Sequence, residues 1–403
     1  MRFSTSTILA LAVPAAYAAP LRTTAKRAAI DITVLQFANV LEQLESQFYS
    51  AGLQKFQDSD FAAAGFTAST IATQQITNIQ SDEATHASVL EAELTNLGAS
   101  AISTCTFNFD SALTDVATMA ATARVVENLG VSAYLGAASL LTDPQLLEAA
   151  GSILTVEARH QTILNVLSGT GTAIPSAFDL ALTPSEVLAI ASPFISGCDL
   201  GLPANPTLTV TNTGTVSQGT SLTFQSSAIN SSVDTSSLSC QMMVGGNPIA
   251  ISLPYNQCIV PNTVNGPVAI YITSDNNPLQ NNVVNRASAN NVLAGPTMAF
   301  IDAQPESLGQ MVRNSGSGSA AGSSSTTTIS PDAAQSIIAS GSSTATASAA
   351  TSTASGSVSS TNSSASNSVN DASDPSAPFR DDFTGLSPKG DILVNGWTNI
   401  PSN

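Results

Sequence analysis

The chain has 403 residues and a mass of 40.9 kDa, and only 10% of its residues are charged, against about 25% in an ordinary globular domain. Acidic residues outnumber basic ones 28 to 11, for a formal charge of −17, so binding to phosphate backbones is close to excluded. Two histidines and four cysteines rule out a tandem zinc-finger array and leave little room for histidine-rich catalysis.

At the start of the chain, Arg2 precedes an apolar run from Ile8 to Val13 and small residues ending Ala16-Tyr17-Ala18. Residues 1–19 therefore read as a secretory signal peptide with an A-x-A cleavage site. The run is too short to span a bilayer, and no stretch of about 18 apolar residues follows it. The expectation is a secreted protein, extracellular or in the cell wall, with no membrane span. Lys26-Arg27 offers a dibasic processing site that would make residues 20–27 a pro-segment; the alternative is two ordinary surface cations. Four cysteines in an exported chain imply two disulfides. Of three possible connectivities, Cys105–Cys198 with Cys240–Cys258 is expected, because the second pair brackets a hairpin and the first closes the segment between its cysteines. Asn230-Ser231-Ser232 and Asn362-Ser363-Ser364 are N-glycosylation sequons.

Three textures follow. Residues 28–198 read as a helical bundle, rich in Ala, Leu and Gln, with no proline between Pro20 and Pro144; Thr142-Asp143-Pro144 is a helix start. Residues 199–305 carry short alternating runs such as Leu208–Thr211, Ser221–Phe224 and Ala269–Ile272, punctuated by Gly, Asn and Pro, as in a small antiparallel β-sandwich. Residues 306–377 are dominated by Ser, Thr, Ala and Gly, cannot bury a core, and read as a disordered, glycosylated stalk. A short motif, 378–403, regains Phe379, Phe383, Ile392, Val394 and Trp397. The end of the chain lacks a hydrophobic tail, so a lipid anchor of the GPI type is not expected. The fold class is thus multidomain α and β, a four-helix bundle followed by a β domain and a tail.

The helical region carries the chemistry. Four heptad-spaced stripes run through it: Leu35, Ala38, Glu42, Glu45, Tyr49, Gly52, Phe56; Ile76, Ile79, Glu83, His86, Leu90, Leu97; Leu113, Val116, Ala120, Ala123, Glu127, Gly130, Tyr134, Ala137, Leu141; and Ala150, Ile153, Glu157, His160, Leu164, Leu167. Each faces a core, yet each has glutamate near its middle. A buried unpaired carboxylate costs several kcal/mol, and four at one level would repel one another unless a cation is bound. Carboxylates and imidazoles converging from four helices make a di-metal site. The spacing sharpens this reading. Glu83-Ala84-Thr85-His86 and Glu157-Ala158-Arg159-His160 use both histidines of the chain in Glu-x-x-His, which puts both side chains on one helical face. Glu42 is followed seven residues later by Tyr49, and Glu127 seven later by Tyr134, so the order is a twofold repeat of a helix pair.

This arrangement resembles the ferritin-like di-metal carboxylate proteins. The wording Leu35-Gln36-Phe37-Ala38, Leu41-Glu42-Gln43-Leu44-Glu45 and Asp82-Glu83-Ala84-Thr85-His86 is similar to one branch of them: the secreted fungal ferritin-like proteins linked to stress response and late sexual development, related to plant desiccation-related proteins. The resemblance implies that Glu42, Glu83, His86, Glu127, Glu157 and His160 bind two iron or manganese ions. It implies that Glu83 bridges them together with Glu127 or Glu157. It also implies that Asp82 and Arg159 orient the histidines. The β domain and tail argue against a 24-subunit storage cage. Glu45 pairs with Gly130 in the repeat and is expected as an exposed charge beside the core, the alternative being an extra ligand. Tyr49 and Tyr134 are expected to hydrogen-bond ligand carboxylates, the alternative being a redox role.

Two functions of different class are compatible with these residues. One is an oxidoreductase, di-iron or di-manganese, acting on dioxygen or peroxide, its substrate a small oxidant. The other is a non-catalytic stress or wall-associated protein with a structural or vestigial metal site, held to the cell wall through its glycosylated stalk. Neither involves nucleic acid.

Overall fold

The computed structural model describes residues 21–67, 69–313, 382–386 and 393–398. The signal-like residues 1–19, the sequon at Asn362 and most of the Ser/Thr-rich segment lie outside the described residues. The helices are α1 (Leu21–Lys55), α2 (Asp58–Ala63), α3 (Ser69–Asn96), α4 (Val116–Ala137), α5 (Pro144–Ser168), α6 (Pro184–Ala191), α7 (Val283–Arg286) and α8 (Ser307–Val312). The strands are β1 (Thr106–Phe107), β2 (Ile195–Ser196), β3 (Thr209–Val210), β4 (Phe224–Gln225), β5 (Ser239–Met243), β6 (Ile251–Pro254), β7 (Gly266–Thr273), β8 (Val292–Ile301), β9 (Asp382–Leu386) and β10 (Leu393–Thr398). Strands β9 and β10 belong to a second unit and pair antiparallel, with Trp397 opposite Phe383.

Local chemistry sets the helix ends. The Asp115 carboxylate accepts from Thr118 N at 2.8 Å to start α4, and Asp143 accepts from Gln145 N at 2.8 Å ahead of Pro144 to start α5. Gly169 closes α5 at φ 72°, a left-handed conformation that a side chain would disfavour. Four long helices, α1, α3, α4 and α5, then pack around two apolar zones. One contains Phe48, Phe61, Ile76, Met119 and Leu164; the other contains Leu35, Leu90, Tyr134 and Ile153. Along every one of the four helices the glutamate level falls between these zones.

The β region is not a free-standing sandwich. Its main sheet has four antiparallel strands in the order β6-β5-β7-β8, and both faces are covered. Because successive side chains alternate across a strand, Cys240, Met242, Ile270 and Ile272 pack on the β3–β4 ribbon side with Leu208 and Leu222. Met243, Ala269 and Tyr271 pack instead on Phe37, Leu41, Leu129, Val187 and Leu188 of the helices. Sheet and helices therefore share one core, which explains why β5 is buried at all five positions, its polar Ser239 and Gln241 included. The folded part also runs past residue 305. Helix α8 packs on the end of α5, Ala173 N donates to Glu306 Oε2 at 3.0 Å, and Arg313 stacks 4.1 Å from the Phe66 ring.

Two ion pairs, one buried and one largely buried, stitch this seam. Arg286 on α7 donates to Glu186 on α6 at 2.7 and 3.1 Å, and Arg124 on α4 forks onto Asp302 at 2.7 and 2.8 Å while lying 4.1 Å from the Phe300 ring. The disulfides join Cys105 to Cys198 and Cys240 to Cys258. Among the described residues no helix is long and apolar enough to cross a membrane.

Candidate metal centre

Each long helix contributes from its inward stripe: Glu42 from α1, Glu83 and His86 from α3, Glu127 from α4, Glu157 and His160 from α5. All four carboxylates are fully buried. Nδ1 of His86 lies 3.1 Å from Glu83 and 3.3 Å from both Glu42 and Glu157, and Nδ1 of His160 lies 2.7 Å from Glu83 and 3.3 Å from Glu127. The donor atoms fall into two overlapping groups, each within 4.8 Å: Glu42, Glu83, His86 and Glu157, and Glu83, Glu127, Glu157 and His160. Glu83 and Glu157 belong to both.

The twofold repeat of the sequence becomes reciprocal bonding in space. Tyr49 on α1 donates to Glu127 Oε1 on α4 at 2.6 Å, and Tyr134 on α4 donates to Glu42 Oε1 on α1. Burial pushes both phenols well above their ordinary value, so both stay protonated as donors. Each outer glutamate thus has one oxygen held by tyrosine and turns the other, Oε2, into the centre. There it meets only a histidine ring and makes no well-formed hydrogen bond, and neither do Glu83 Oε1, both oxygens of Glu157 or Nδ1 of His160. Orphaned buried acceptors are rare because each forfeits its hydration. Five carboxylate oxygens and one imidazole nitrogen of this kind, aimed at one another, fit a set of divalent cations of the kind that take mixed oxygen and nitrogen ligands.

The electrostatics agree. Burial, reinforced by the Glu83 charge, raises the Glu42 carboxyl to about 8, and burial with the surrounding carboxylates raises Glu157 well above the usual range. Burial opposes the protonation of His86, but the oxygens of Glu157, Glu42 and Glu83 outweigh it and lift the ring to about 12. His160 is lifted to about 11 against the same burial by Glu127 and Glu83. Burial also opposes the ionisation of Glu83, yet its contacts with the two histidines hold it at about 2. The cluster takes up positive charge wherever it can.

Around the cluster the outcome is mixed. Asp82, half exposed, sits 3.1 Å from Nε2 of His160, on the far side of the ring from the cluster. Arg159 is exposed and has no bond to either histidine among the described residues, so the expected orienting role falls away: position 159 points outward on α5 while 157 and 160 point in. Glu45 is corrected too. It is 3% exposed, inside the core next to Gly130, and outside both donor groups. Its heptad position, three residues after Glu42, was the signal for burial. Asn230 is exposed, and its Oδ1 accepts from Ser232 N at 3.0 Å. The seam residues Arg124, Glu186, Arg286 and Asp302 escaped the sequence reading; Arg124, a cation within an Ala- and Val-rich helix of a chain poor in cations, was the available clue.

Residues 30–170 match the family model of the ferritin-like domain, which spans the four long helices and every residue of the cluster. This part of the chain is ferritin-like. No curated protein matches the chain.

Proposed function

We propose that the chain is an exported ferritin-like protein that holds two iron or manganese ions between its helices and works on dioxygen or peroxide, in the setting of stress or development that its resemblance implies. The observation that carries this reading is the pair of overlapping donor groups sharing Glu83 and Glu157. These two carboxylates would be shared by the two ion sites, with Glu42 and His86 completing one set and Glu127 and His160 the other. Two such ions, when bound, would supply the electrons that an oxidant accepts. The chain does the positioning. Asp82 would accept the Nε2 proton of His160, leaving the Nδ1 lone pair directed at the cluster. Tyr49 and Tyr134 would keep the outer carboxylates from rotating, and the apolar zones above and below would exclude bulk water. The two disulfides and the signal-like residues 1–19 support an oxidising, extracellular setting.

The test is metal content by mass spectrometry of the secreted full chain beside a Glu83→Ala/His160→Ala variant. About two iron or manganese ions per chain are expected, lost in the variant. A wild type that stays folded and takes up neither ion sinks the reading. Bound metal without oxidant consumption, measured beside His160→Ala, would make the site structural and move the function to the glycosylated stalk.

A further inference from the structure

The twofold repeat is broken at one level. Glu45 and Gly130 are counterparts, three residues after Glu42 and Glu127, and where they meet the core is not filled. A cavity of about 350 Å³ opens there between α1, α4, the end of α6 and β8. That volume lies in the range of small-molecule sites. Its walls are mainly aliphatic, with Leu41, Val126, Leu129 and Met298 among them. Ala121, exposed on α4, stands at the rim.

Glu45 is the one charged side chain of this lining. It is buried, has no hydrogen bond or ion pair among the described residues, and belongs to neither donor group. Leaving a polar carboxyl group without a partner in an apolar wall is costly, and a core of this kind would be more stable with leucine there. Gly130 adds the second half of the argument. A Cβ at this position would lie 2.5 Å from Glu157 Oε2 and 3.1 Å from Glu45 Oε1. Any side chain at 130 would therefore stand between the two carboxylates. Its absence brings the inner end of the cavity against the cluster, with Glu45 on the cavity side and Glu157 on the other.

We propose that this cavity binds a small, mainly apolar molecule with a single hydroxyl or amine donor, of the size of an alkylphenol, its donor on Glu45 and its body on the aliphatic walls. As a binding site this stands by itself; as the substrate site of the cluster it rests on the metal reading above.

Calorimetric titration of the secreted full chain with 4-ethylphenol, and with ethylbenzene as the probe lacking the donor, tests it. Saturable one-to-one binding of 4-ethylphenol is expected, with ethylbenzene at least about tenfold weaker. Glu45→Leu should abolish that preference, and Ala121→Trp, at the exposed rim, should abolish binding of both probes. Thr122→Phe is a second blocking variant should Ala121→Trp fail to fold, as checked by circular dichroism. No saturable binding by the wild type, equal affinity for the two probes, or binding unchanged by both blocking variants overturns the proposal. Metal content measured on the same samples separates the failures: binding without metal retains the cavity and removes the metal reading, and metal without binding does the reverse.

Discussion

Buried charge occurs in two places in this molecule, and the two are built in opposite ways. At the seam between helices and sheet, Arg286 has Glu186 on one side and the carbonyls of Gln280 and Asn281 on the other, so its donors are matched. Arg124 likewise spends its guanidinium on Asp302 and on Asn165 Oδ1 at 2.7 Å. In the centre of the bundle, four glutamates face two histidines, and half a dozen buried polar atoms make no well-formed hydrogen bond. Charge that is balanced within the chain holds elements together. Ligand atoms left in excess, on four helices that cannot splay without breaking two apolar zones, are a place for a cation from outside.

The largest effect should come from breaking the sharing in the cluster. Glu83 belongs to both donor groups, so Glu83→Ala should take metal content from about two ions to background, whereas Glu42→Ala, which touches one group, should leave about one. Equal loss in the two variants, read by mass spectrometry, would show that the ions do not occupy separable sites. Protons compete with ions here. Because Glu42 is held at about 8 and both histidines higher still, ion binding must expel protons at neutral pH. Affinity should therefore weaken as pH falls from 8 to 6, and titration in buffers of different ionisation enthalpy should register the protons released.

The seam predicts a different signature. Arg286→Ala leaves Glu186 buried without its partner and should cost about 3–5 kcal/mol of stability in denaturant unfolding, with metal content unchanged. Metal loss in this variant would mean that seam and cluster are coupled, and the contrast drawn between them would fail.

Within the cluster a finer asymmetry remains. His160 has Asp82 behind it, whereas the repeat places Val156 in the equivalent position behind His86. Asp82→Ala should weaken the affinity of the His160 side about 10–100-fold and leave the other side near its wild-type value, as resolved by competitive chelator titration. A uniform loss at both ions would assign Asp82 a general electrostatic part instead.

The sequence made the helical half legible because its chemistry is periodic. Glu83 and His86, or Glu157 and His160, fall on one face by spacing alone, and the seven-residue steps to Tyr49 and Tyr134 mark the repeat, though not which glutamate each tyrosine meets. The β half was harder for a physical reason. A strand buried on both faces, such as Ser239–Met243, misleads: Ser239 and Gln241 read as a solvent face yet are buried, and the partners of its inner face are helix residues far away in the chain. Glu45 shows heptad position prevailing over charge: three residues after Glu42, it is buried although its side chain is acidic. The pairing of Arg124 with Asp302, 178 residues apart, leaves no local trace at all.

That last pair gives the smallest and most specific prediction. Burial opposes the ionisation of Asp302, but the Arg124 guanidinium, aided by the Thr170 hydroxyl, outweighs it and holds the carboxyl below its ordinary value of 3.8. A carboxyl whose folded value is depressed releases its proton more readily in the native state. Its contribution is therefore complete above the unfolded value and disappears as pH falls through the folded one. Asp302→Asn keeps one acceptor for Arg124 and removes the charge, so it should cost about 1–2 kcal/mol at neutral pH. The gap between wild type and variant should stay constant from pH 8 to about 5 and narrow below about 4. Urea unfolding at a series of pH values measures that gap. If it is as wide in acid as at neutrality, Asp302 acts through shape and neutral hydrogen bonds, and the seam is not held by charge on that side.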